Sequence, residues 1–191
     1  MRWSLAITAF LPLLACAPVE PQATLPADAV IGAGDPTRAA IIGSAYAFGA
    51  PESLAGRPDA AARAAAEVEY LASELRTGPR WVEFNPAISQ EMAAAREELR
   101  AALGISPSAP PQAVVDALYS ASRALRAGDR EAAAQLLKPP TFQDGEGTLL
   151  RLASLPPLPR TRIATSLANL ELNRVDQEGR FTGADGDGGK Q

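Results

Sequence analysis

Apolar residues recur three and four apart along most of this chain, and nearly every run is bounded by a proline or a glycine. A repeat near 3.6 residues turns one stripe of side chains inward and marks a helix, whereas a half-buried strand needs alternation at every second residue. No stretch sustains that alternation with β-branched residues, and alanine, the strongest helix former, is abundant. The spacing predicts an all-α domain. Either a small helix bundle or a helical-hairpin stack of about five to seven helices satisfies it.

The first predicted helix covers about 37–48, with Ala39, Gly43 and Ala47 on a small-sided stripe that lets a neighbouring helix come close. A second begins near Pro58, since proline suits the first helical position, and stops at Gly78-Pro79. Ala61, Ala65, Val68, Leu71, Ala72 and Leu75 form its inward stripe, while Arg63, Glu67, Glu74 and Arg76 are expected on solvated faces. Asn85-Pro86 opens a third, lined by Ile88, Met92, Ala95, Leu99 and Leu103 and ended by Gly104. The fourth, over about 111–127, turns Val114, Leu118, Ala121 and Leu125 inward. Gly128 closes it, and Asp129 caps a short fifth helix ending near Lys138. Two more are expected around 146–154 and 159–176, the last buried through Ile163, Leu167 and Leu170.

The first sixteen residues follow a different logic. Met1 and Arg2 precede a mostly apolar run, which ends at Ala15-Cys16, the layout of a secretory signal. The run falls short of the roughly 20 apolar residues that span a bilayer, and Pro18, Glu20 and Pro21 follow it rather than a stop-transfer pattern. Leu13-Leu14-Ala15-Cys16 resembles the lipobox of bacterial lipoproteins. That resemblance implies diacylglycerol transfer to the Cys16 sulfur, cleavage before it, and acylation of the new amino terminus. Several acyl chains hold a membrane firmly where a single one holds only marginally. Cys16 is the sole cysteine, so its use as a lipid anchor leaves no thiol for a disulfide, a metal or a nucleophile. Ala17, rather than Asp, follows it, and by the same resemblance the periplasmic face of the outer membrane is the expected location.

These readings divide the chain into a signal peptide over 1–15, a lipidated Cys16 with a proline-marked tether to 36, an all-α domain over 37–178, and a Gly/Asp-rich tail over 179–191 expected to be disordered. Extended at roughly 3.1 Å per residue, the tether would set the domain up to roughly 60 Å from the bilayer.

Composition removes much chemistry. The chain has no histidine, which excludes a Ser-His-Asp triad, His-ligated zinc or haem, and imidazole acid–base catalysis. Its formal charge of −4 argues against a nucleic-acid partner, which calls for a basic face. Lysine occurs only at Lys138 and Lys190, while arginine is plentiful. Arginine grips carboxylates and phosphates, but a GC-rich genome explains abundant Ala, Arg, Gly and Pro together. The glycines near 145–147 lack the Lys-Ser/Thr element of a phosphate loop. Asp185 and Asp187 are too few ligands for calcium, so no metal and no cofactor are expected.

Two segments stand out within the domain. Residues 111–137 resemble one tetratricopeptide-type hairpin in the placement of Ala117, Ala121, Leu125, Gly128-Asp129, Ala132-Ala133 and Leu136, but no second copy is evident, and a repeat array needs at least about three. The loop around Trp81, Glu83 and Phe84, set between Pro79 and Pro86, is the candidate interaction loop. Its rings either present contact area to a partner or fold inward as a plug at one end of the bundle. Glu83 is also the candidate acid for a carboxylate-dependent glycan-cleaving enzyme, because an apolar neighbour raises a carboxyl pKa. No catalytic constellation accompanies it. The expected function is a non-enzymatic envelope lipoprotein, anchored in the lipid bilayer, whose helical domain binds or scaffolds an envelope protein. The alternatives are a carrier or chaperone for an apolar ligand or peptide, and the glycan-cleaving enzyme.

Overall fold

The computed structural model describes residues 21–30, 34–81 and 83–184, with side chains described as far as 178. The signal peptide, Cys16, residues 17–20 of the tether and residues 185–191 of the tail lie outside the described residues. The described residues form seven α-helices: α1 (Pro36–Gly49), α2 (Pro58–Thr77), α3 (Pro86–Leu103), α4 (Pro111–Arg126), α5 (Arg130–Leu136), α6 (Gly145–Ala153) and α7 (Pro159–Ala184). They form an all-α bundle, and no strand occurs among the described residues.

Local chemistry explains most of the boundaries. Prolines open α1, α2, α3, α4 and α7, where the missing N–H costs nothing. Side chains of Asp35, Asn85, Asp129 and Asp144 accept backbone N–H groups at the starts of α1, α3, α5 and α6. Gly104 and Gly128 end α3 and α4 in left-handed backbone, at φ 71° and 80°, which side-chain-bearing residues seldom adopt. The hairpin expected over 111–137 is present as α4 and α5, with α5 only seven residues long.

Helix α2 is the axis, packed against α1, α3, α4 and α6, while α7 lies along α1 and α3. Its central position corrects the expected solvated faces. Glu67 and Glu74 are buried, as is Glu69, and Arg63 is half-buried, whereas Arg76 is exposed. A stripe assignment presumes one covered face, but alanine over most of α2 admits neighbours on several sides.

Three further expectations change. Ile163 and Leu170 of α7 are exposed, at 50% and 64%, and Leu167 is only partly buried. The inward face of α7 is instead Thr161, Ala164, Thr165, Ala168 and Leu172. Small groups there permit close packing, and the threonine hydroxyls find acceptors: Thr161 Oγ1 donates to Glu98 and Thr165 Oγ1 to the Thr161 carbonyl. The α7 backbone continues helical to Ala184, past the expected tail start at Gly179, since each glycine costs a helix only about 1 kcal/mol. Finally, residues 21–30 of the expected tether lie against α2 and α4, with Ala23 and Ala29 buried.

Candidate functional site

The loop between α2 and α3 contains the 3₁₀ turn Pro79–Trp81. Trp81 and Phe84 are both buried, and their rings meet edge to face with centroids 4.9 Å apart. The Trp81 Nε1–H donates to Glu74 Oε1 at 3.2 Å, which satisfies the indole inside the bundle. Of the three candidate residues, Glu83 alone is exposed. Its backbone carbonyl accepts from Arg174 at 3.0 Å, tying the loop to α7. Glu83 thus lacks the apolar shelter that an acid–base role through Trp81 requires.

The carboxyl with that shelter is Glu67, which sequence reasoning missed. It faces α1 on the floor of a groove of about 280 Å³, whose mouth carries Tyr46, Ser53 and Arg57. Burial pushes its pKa up to about 7, against the pull of Arg63, whose Nε–H donates to Glu67 Oε1 at 3.0 Å. Gly43 makes this fit possible: a Cβ there would stand 2.8 Å from Glu67 Oε2. Beside the pair lies Tyr119, whose buried hydroxyl makes no well-formed hydrogen bond among the described residues and whose pKa burial raises. The available signal was the run of alanines flanking Arg63, which leaves α2 without a broad polar face.

A second buried acid on α2 is structural in character. Glu69 Oε2 and Oε1 accept Arg100 Nε–H and Nη2–H at 3.0 and 2.5 Å, a two-pronged pair shut away from water. The remaining Arg100 donors reach the carbonyls of Ser106 and Pro107 at 3.3 and 2.9 Å, fixing the α3–α4 turn. Among the described residues, no three His, Cys, Asp or Glu side chains converge as metal ligands would.

Two surface features are apolar. A cavity of about 530 Å³ opens where the end of α1 meets the segment leading into α7. Phe48, Leu54, Leu155 and Leu158 line it, Pro156 and Pro157 stiffen one wall, and the exposed Arg162 stands at its side. The second feature is the outer face of α7, where Ile163, Leu167 and Leu170 follow one another at i, i+4 and i+7, opposite the buried stripe. Helix α1 adds exposed Ile42 and Tyr46. No helix of the described residues is long and apolar enough to cross a membrane. Comparison with known families, with curated proteins and with solved structures found no match for this chain.

Proposed function

We propose that this chain is an exported lipoprotein, anchored through Cys16 at the periplasmic face of the outer membrane, whose helical domain is a non-enzymatic module for binding another envelope protein. The anchor rests on the lipobox Leu13-Leu14-Ala15-Cys16. The observation that carries the binding role is the outer face of α7. Two large aliphatic side chains stand in water there, while the same helix spends alanine and threonine on its core contacts. Apolar anchors at i, i+4 and i+7 are how a helix docks into a partner's groove. In-cell crosslinking of the tagged protein should capture one stoichiometric envelope partner, lost in an Ile163→Asp, Leu170→Asp double variant of unchanged helicity. Capture that survives both substitutions overturns the role of α7.

The cavity beside Arg162 favours a second reading, a carrier for an apolar ligand. Its volume of about 530 Å³ falls within the roughly 300–1,000 Å³ of small-molecule sites. A fluorescent fatty acid should then bind the full chain at one site per molecule, and Leu155→Trp should block it. Binding unaffected by Leu155→Trp removes the cavity from consideration.

A further inference from the structure

The segment expected to hold the domain away from the membrane is itself bound along the domain. Ala23 N–H donates to Ser73 Oγ at 3.2 Å, and Gln22 Nε2 donates to Glu74 Oε2. Thr24 exchanges bonds with the Gln112 amide, its N–H donating to Oε1 at 2.7 Å and its carbonyl accepting from Nε2 at 3.1 Å. Farther along, Asp28 pairs with Arg123 at 3.2 Å and the Ala29 carbonyl accepts from Arg63 at 2.7 Å. The strap therefore runs from the C-terminal turns of α2 back toward its start, and Pro21 leaves at the end where α2 finishes and α4 begins.

Chain length then sets a limit. Cys16 and Gln22 are six residues apart, a span of about 20 Å at full extension. With an acyl-bearing sulfur at Cys16, Gln22 lies within about 20 Å of the bilayer, not at the end of a 60 Å tether. The opposite end of the bundle, where α4 ends, is about 25 Å farther along that helix. Ser122 Oγ donates to the Asp59 carbonyl at 2.8 Å, which places the end of α4 beside the start of α2. The near end comprises the turns at 77–81 and 106–110 together with the last turns of α7, whose Arg174 and Glu171 bond Glu83 and Asn85; Arg80, exposed there, pairs with Asp35.

We propose that the strap over 21–30 holds the domain against the bilayer, with the turns at 77–81 and 106–110 facing the phospholipid headgroups. This orientation rests on lipidation at Cys16. With that cysteine acylated, engineered cysteines are the only thiols. Full-length Thr77→Cys and Ala127→Cys proteins, both exposed sites, are labelled with a donor dye and placed in phosphatidylethanolamine–phosphatidylglycerol vesicles carrying an acceptor lipid. Energy transfer from residue 77 should exceed that from residue 127 by at least about twofold, given the roughly 25 Å between the two ends. Adding Gln112→Ala and Arg123→Ala should release the strap and bring the two efficiencies together. Equal transfer from both sites in acylated protein overturns the orientation and leaves the lipoprotein reading intact. Absence of fatty-acid incorporation at Cys16, measured by mass, overturns both.

Discussion

Helices α2 and α7 invert the usual rule of polarity in opposite directions. On α2, Glu67, Glu69 and Glu74 are buried; on α7, Ile163 and Leu170 are exposed. The difference lies in position. Helix α2 is covered by α1, α3, α4, α6 and the strap, so a side chain leaving it in almost any direction enters protein. Each buried carboxylate there has a partner: Arg63 for Glu67, Arg100 for Glu69, and the Trp81 and Gln22 side chains for Glu74. Among the described residues, helix α7 packs mainly against α1 and α3, and a narrow stripe of alanine and threonine meets them. A covered helix can thus carry charge where partners meet it. A peripheral helix has aliphatic surface left over for something outside the chain.

The sharpest way to break this comparison is to orphan a buried charge on α2. Glu69→Ala leaves the Arg100 guanidinium in a buried site, 6% exposed, without the carboxylate that pairs with it and with the carbonyls of Ser106 and Pro107 still in reach. Removing one partner of such a pair costs about 3–5 kcal/mol, whereas replacing both by apolar groups of similar volume is often neutral. Urea denaturation should show that loss for Glu69→Ala and recover most of it for Glu69→Leu combined with Arg100→Met. A loss below about 1 kcal/mol would mean that water reaches α2, and its contrast with α7 would dissolve.

Glu67 gives the next largest effect, and its sign is opposite to that of an ordinary salt-bridged acid. Burial raises its folded-state pKa from 4.5 to about 7, so between those values the folded protein holds more protons than the unfolded chain. The stability from this group is full below pH 4.5 and is lost as pH climbs through 7. The loss is at most on the order of 3 kcal/mol. Arg63 pairs with Glu67, Tyr119 lies close by, and uncharged Gly43 meets it from α1. Urea midpoints at pH 5 and pH 8 should separate in the native chain and draw together in Glu67→Gln. Equal pH slopes in the two proteins would mean that Glu67 titrates in water.

The helix boundaries were legible because each is set by a few local residues: Asn85-Pro86, Gly104, Gly128-Asp129 and the prolines that open five helices. Burial was not, because it depends on what packs against a helix. The Arg63–Glu67 spacing of four reads equally well as a surface pair, and nothing near Glu67 in sequence announces Gly43 above it. The start of α7 shows the same limit. Its first N–H groups are capped by Glu98 from α3, at 2.8 Å to Thr161 and 3.3 Å to Arg160, a partner 63 and 62 residues away in the chain. The strap was misread for a related reason. Proline and few large apolar groups describe a tether, yet Ala23 and Ala29 are small enough to lie between helices, and Gln112 satisfies the backbone of Thr24 from a distance no local rule reaches.

The smallest expected effect bears on α7. Substituting aspartate for Ile163 and Leu170 removes aliphatic groups that are half or more in water already, so stability should change by no more than about 0.5 kcal/mol per site. New carboxylates on the helix exterior lie away from the Thr161–Leu172 stripe, so the contacts with α1 and α3 stay as they are. Urea denaturation of the double variant measures the structural part, and partner capture measures the other. A stable variant that captures nothing assigns these side chains to an interface. A loss above about 2 kcal/mol for the pair would mean that they support the bundle itself, and the exposed face of α7 would then be part of the same packing logic as α2.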